Sequence, residues 1–217
     1  MRQAKWTVLL VLLLVGCPSD PPSGDGDAGT DGGAGVRGLV FVFQVDPVLP
    51  GQTSPGVTVD SLELHLRDVR VVGDAAAGDP RVSRADLTMK FLAGQPTAEL
   101  AFPDAPSGMY SRLAARLGGT GHSYVIKGHA TVGGVSRPFE IEDEEALPLA
   151  IDFTPVQVRA GRVATVRIGV DVAAAIAQVD WDMVRFDGEK LTLEHDDAGI
   201  AVVRSALVAA IRFLAIE

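Results

Sequence analysis

The constraint that most narrows the fold of this chain is a period of two. Val166, Ile168, Val170 and Val172 alternate with Thr165, Arg167, Gly169 and Asp171. Successive side chains on a strand point to opposite faces, so such a run buries one face and wets the other. Leu62, Leu64 and Leu66 alternate in the same way with Glu63, His65 and Arg67. The phase then slips, because Val69 and Val71 are apolar at odd positions. A bulge or bend near Arg67-Asp68 would slip a strand by one residue. Met109, Leu113 and Leu117 form another apolar set, against Tyr110, Arg112 and Arg116. Further strands are predicted over residues 38–45, 84–92, 97–102, 147–153 and 190–195.

Turn residues separate these runs. Gly133-Gly134 lies between His129–Val132 and Val135–Phe139, the signature of a two-residue hairpin. Ala160-Gly161 and Asp187-Gly188 mark further turns, and Pro106-Ser107-Gly108 introduces the Met109 strand. Many short strands at this spacing predict a mainly β fold, an antiparallel β-sandwich of the Ig-like or transthyretin-like kind. Two stretches depart from it. Ala173 to Val184 is alanine-rich and predicts a short helix and a turn. Ala198 to Leu214 puts Ile200, Val203, Leu207, Ile211 and Leu214 on one helical face, with Asp196 or Asp197 as N-cap. For the end of that stretch, Phe213 to Ile216, a returning strand is the alternative to the helix.

The N-terminus predicts export. Arg2 and Lys5 precede an apolar core from Thr7 to Val15, too short for the roughly 20 residues that span a bilayer. The run Leu14-Val15-Gly16-Cys17 ends on the only cysteine of the chain and reads as a lipobox. Residues 1–17 are therefore the expected lipoprotein signal, with lipid attached at Cys17 and the membrane reached through it. Lipidation would consume the sole thiol and leave no disulfide to stabilise the fold. Residues 18–36, PSDPPSGDGDAGTDGGAGV, cannot bury enough apolar surface to fold and are expected to be a tether. Asp25, Asp27 and Asp31 suggest a calcium loop, but Gly29 and Val36 stand where an EF-hand needs oxygen ligands. Residues 37–217 are the expected single folded domain. Its share of the net charge of −9 argues against nucleic acid as a partner. Its few aromatic residues argue against a large sugar-stacking face.

The runs TVDSLELHLRDVRVVG, FPDAPSGMYSRLAARL and IDFTPVQVRAGRVATVRIGVDV resemble an uncharacterised domain common in prokaryotic lipoproteins. The shared features are Pro106, Gly108 and Tyr110 at the entry to a strand, the Ala160-Gly161 turn, and Asp171 at a strand end. The resemblance covers roughly residues 38–175. It implies a β-sandwich on a lipid anchor and no established activity.

No residue set points to catalysis. There is no Gly-x-Ser-x-Gly elbow. His65, His122, His129 and His195 have no zinc-ligand spacing, and His122 and His129, seven apart, are expected to face opposite ways. Glu140, Glu142, Asp143, Glu144 and Glu145 form the densest acidic run, read as a solvated loop leaving the hairpin, with a cation site or pairing with a basic partner as the alternatives. Asp180 with Asp182, and Asp196 with Asp197, are read as solvated pairs. The expectation is a non-enzymatic binding or assembly module of the bacterial envelope, at the outer membrane rather than the inner, with no catalytic residue, metal or cofactor and with an envelope protein as a partner. The alternatives are a hydrolase with a carboxylate site and an inert structural lipoprotein.

Overall fold

The computed structural model describes residues 38–73, 80–84, 86–118 and 121–217. The signal, lipobox and tether expected over residues 1–36, with Cys17 and the calcium-loop candidates, lie outside them. In chain order the strands are β1 (Gly38–Asp46), β2 (Gly51–Ser54), β3 (Val57–Gly73), β4 (Pro80–Arg84), β5 (Leu87–Phe91), β6 (Thr97–Phe102), β7 (Gly108–Leu117), β8 (Tyr124–Val132), β9 (Val135–Asp143), β10 (Leu147–Val158) and β11 (Val163–Asp171). Helix α1 (Val172–Ile176), β12 (Arg185–Phe186), β13 (Leu191–Leu193), helix α2 (Ile200–Ala210) and β14 (Ile211–Ile216) complete the order. The fold is mainly β, in two sheets, with a helix near the C-terminus.

The smaller sheet has the order β14-β11-β1-β6. Its pairings are antiparallel except β1 with β11, which run parallel from Gly38 opposite Val163 to Asp46 opposite Asp171. The alternation read in the sequence sets its inner face: Leu39, Phe41, Phe43 and Val45 on β1 and Val166, Ile168 and Val170 on β11 are buried. The ring of Phe41 meets Phe102 edge-on at 5.9 Å and Phe153 of β10 at 5.6 Å, so the two sheets share one core.

The larger sheet has the path β10-β7-β3-β8-β9-β13-β12, with β2, β4 and β5 also on β3. Strand β3 is its axis, and it bends where the phase slip predicted. Asp68 has φ of 50°, a left-handed conformation that Asp tolerates better than most residues, and the register to β7 jumps between Arg67 and Arg70. Leu62, Leu64 and Leu66 are buried before the bend, Val69 and Val71 after it. The His65 amide donates to the Ser123 carbonyl at 3.0 Å, and the His65 carbonyl accepts from Gly118 at 2.8 Å. Strands β7 and β8 therefore lie end to end along one edge of β3. The predicted strand over 84–92 is split into β4 and β5, which flank the other edge in the same way.

Strand β7 corrects one expectation. Tyr110, Leu113, Ala115 and Leu117 are buried, whereas Met109 is exposed. The registers to β3 and β10 slip beside this end of β7, between Val72 and Gly73 and between Asp152 and Val156, which moves Tyr110 into the inward phase. The Tyr110 hydroxyl donates to the Pro106 carbonyl at 2.7 Å, an arrangement like the tyrosine corner of sandwich folds. The spacing Pro106, Gly108, Tyr110 thus has a structural reason.

The helical stretches follow the sequence with two corrections. Asp171 caps α1, accepting from the Ala174 amide at 2.9 Å. Helix α2 buries Ile200, Val203 and Leu207 as predicted, but its N-cap is Gly199, without a side-chain bond. Asp197 instead accepts from the Glu194 amide at 2.7 Å, closing the preceding turn, and Asp196 caps nothing among the described residues. The helix stops at Ala210. Ile211 and Leu214 belong not to its face but to β14, the returning strand, where Leu214 lies over Gly169.

Candidate functional site

The one buried charged side chain among the described residues is Asp143, the last residue of β9. This corrects the reading of the acidic run as a solvated loop. The run begins inside the strand, because the Gly133-Gly134 hairpin carries β9 as far as its partner β8 extends, Tyr124 opposite Asp143. Only Glu144 and Glu145 lie in the loop beyond. Pairing makes the strand residues face alternate sides and meet different partners.

Asp143 faces inward, where α2 and the turn before it bring two cationic groups to it. Arg204 grips it as a fork, Nε to Oδ2 at 2.6 Å and Nη2 to Oδ1 at 2.8 Å. His195 Nδ1 lies 2.8 Å from Oδ1. A carboxylate oxygen only accepts, so the Nδ1 proton sits between them. The Glu145 amide adds a fourth donor at 3.2 Å. Arg204 also donates to the His195 carbonyl at 2.9 Å, tying the turn to the helix. Burial alone would raise the Asp143 carboxyl, but the hydrogen bonds from Arg204 and His195 outweigh it and hold it at about 2. The bond to Asp143 raises His195 above the ordinary imidazole value. The Tyr124 hydroxyl is buried beside this centre without a hydrogen-bond partner of good geometry, and burial, then the Asp143 charge, push it up.

An imidazole oriented by a buried carboxylate is one half of a nucleophilic relay. The other half needs a hydroxyl or thiol on the imidazole. Ser123, the buried serine next to Tyr124, gives its hydroxyl to the Glu145 carbonyl instead. All the donors around Asp143 converge on a single carboxylate. Chemically the cluster is a fastener: it neutralises one buried charge and pins α2 and residue 195 to the end of β9.

The remaining predicted groups scatter over the surface. On the outer side of β9, Glu140 is bridged by Lys127 at 2.7 Å and by Lys190. Burial raises this carboxyl, and the two lysines outweigh it and lower it. Glu142 lies 3.7 Å from His122, which precedes β8 rather than sitting on it. His65 meets Glu63 at 3.0 Å, and His129 meets Asp60 at 2.9 Å. Asp180 and Asp182 sit together in an exposed turn after α1, Asp180 accepting from the Asp182 amide at 3.3 Å. Among the described residues no group of three or more His, Cys, Asp or Glu is placed to hold a metal ion.

Two features escape the sequence reading. Arg204 stands out from nothing in its helix until Asp143 is placed opposite it. A broad open groove on the outer face of β3, β7 and β10, about 990 Å³ in volume, gathers Arg70, Arg112 and Arg116 from three separated positions. Only the alternation of Arg112 and Arg116 on one strand could have hinted at it. Comparison with known proteins leaves these geometries to stand alone: no family model, no curated protein and no solved structure matches the chain.

Proposed function

We propose that this chain is an exported envelope lipoprotein, anchored through lipid on Cys17, at the outer membrane rather than the inner, that presents its β domain as a non-enzymatic binding or assembly module. The observation that carries the reading is the Leu14-Val15-Gly16-Cys17 run, followed at once by a Gly-, Asp- and Pro-rich tether. Several acyl chains on one cysteine hold a protein on a membrane, since each buried methylene contributes about 0.8 kcal/mol. The bonds of Asp143 to Arg204 and to the Nδ1 of His195 give this cluster a part in holding α2, and the open, charged sheet faces offer a surface for binding.

Cys17→Ser tests the anchor. The wild-type chain is expected in the membrane fraction with a lipidated N-terminal Cys17 by mass spectrometry, and the variant is expected to be released or left unprocessed. An unmodified N-terminus beginning at another residue would sink the reading. The hydrolase alternative has one observation in its favour, the His195–Asp143 pair. Hydrolysis of a chromogenic ester by the chain, lost in His195→Ala, would move the assignment to that class.

A further inference from the structure

The groove on the outer face of the larger sheet carries a concentration of positive charge on an acidic protein. Arg70 stands opposite Ala114, and Ala114 opposite Ala150, across β3, β7 and β10. Arg112 and Arg116 flank Ala114 two positions away on either side, so all three arginines rise from the same face around Ala114 and Ala150, with Pro148, Leu149 and Val208 of α2 completing the lining. Arg112 is partly occupied by Asp152, at 2.5 Å. Arg70 and Arg116 make no ion pair among the described residues. Both are exposed, and they are diagonal neighbours on adjacent strands, about 7–8 Å apart at the backbone.

A single exposed ion pair contributes about 0–1 kcal/mol, too little to hold a small anion in water. An open groove with separated cations therefore gains affinity only from a ligand that repeats its charge and engages several of them at once. Asp68 and Ser83 line the groove, and Asp152 stands beside it, opposite Arg112 on the neighbouring strand. These carboxylates repel a uniformly anionic surface such as a phospholipid bilayer, but they accept hydrogen bonds from hydroxyl groups. A ligand with carboxylates for the arginines and hydroxyls for the aspartates satisfies both sets. The guanidinium fork matches a carboxylate in plane with two parallel bonds.

We propose that the face built by Arg70, Arg112 and Arg116 is a binding site for an acidic polysaccharide, with uronate carboxylates on Arg70 and Arg116 and sugar hydroxyls on Asp68 and Asp152. The proposal rests on the binding-module reading and names its ligand class. Recognition here is by charge and hydroxyl pairing, so it needs no aromatic platform, in keeping with the small number of Trp and Tyr in the chain.

The experiment uses the full chain purified in detergent, with polygalacturonate as probe, dextran as the neutral polymer and phosphatidylglycerol vesicles as the anionic surface. The expected result is binding to polygalacturonate, none to dextran, and a marked loss of affinity when salt is raised from about 50 to about 300 mM, as screening demands. The double variant R70Q/R116Q is expected to bind about tenfold or more weakly, the equivalent of one charge-assisted contact. Its melting temperature should match the wild type, because both side chains lie in water. Should it melt early, R116Q alone and the salt series on the wild type carry the test. No binding to polygalacturonate, equal binding to dextran, undiminished binding by the variants, or binding to the vesicles alone would each overturn the proposal. The N-terminal mass of the same preparation separates the two readings. A lipidated chain that ignores polygalacturonate removes only the polysaccharide, and an unlipidated chain that binds it removes only the anchor.

Discussion

Asp143 shows how one side chain acquires its role from where pairing places it. Its neighbours Glu142 and Glu144 are chemically similar, yet only Asp143 points inward, and a buried carboxylate is tolerable only when paired. Replacing Arg204 by Met should therefore cost about 3–5 kcal/mol in urea denaturation, because it removes the fork and leaves the buried charge to His195 and one backbone amide. The double variant R204M/D143L should recover much of the loss, and a single variant as stable as wild type would refute the fastening role. The same centre predicts a pH profile. The Asp143 carboxyl is depressed from 3.8 to about 2, so its contribution is present above its ordinary value and lost as the pH falls toward 2. His195 is raised, so its contribution is complete below about 6.5 and lost as the pH rises through its folded value. Denaturation midpoints should be highest between about pH 4 and 6.5. His195→Ala should flatten the alkaline limb and leave the acid one, and a wild-type midpoint constant from pH 6 to 9 would contradict this. Little of the centre was legible in the sequence. The acidic run was visible, but which member turns inward depends on the length of a hairpin. Gly128 on β8 is similar: nothing in the sequence marks it, yet a Cβ there would collide with the Thr58 carbonyl oxygen of β3.

At the scale of elements, the sequence was most informative where a single strand or helix decides its own pattern. The slip from Leu66 to Val69 located the bend in β3, since a one-residue change of phase can come only from a local irregularity. The inward face of α2 was equally plain. Leu207 is fully buried at its centre. Leu207→Asp should destabilise the protein by about 3–5 kcal/mol, from lost packing and an unpaired buried charge. A variant with the same melting temperature as wild type would make α2 an appendage. What failed at this scale depended on neighbours. The helical period ran through Ile211 and Leu214 because β14 repeats apolar residues too, and only the open edge of β11 decides that the chain extends there. The Met109 phase failed because slips on both flanking strands move Tyr110 inward.

For the whole molecule, the mainly β class and the two-sheet plan followed from strand number and turn spacing, but strand order did not. The parallel pairing of β1 with β11 joins segments more than a hundred residues apart, and no local pattern announces it. That pairing has a consequence for connectivity. Gly38 lies opposite Val163 on one flank of β11, and on the other flank Glu217 exchanges amide bonds with Thr165. The two positions are two strand spacings and two residues apart, about 12 Å. A linker of about five residues can cover that span. A circular permutant joining 217 to 38, opened at the Gly133-Gly134 turn, is expected to keep every strand pairing and fold with a near-native circular dichroism spectrum and a cooperative melt. The order in which these strands are strung would then matter less than which edges they meet.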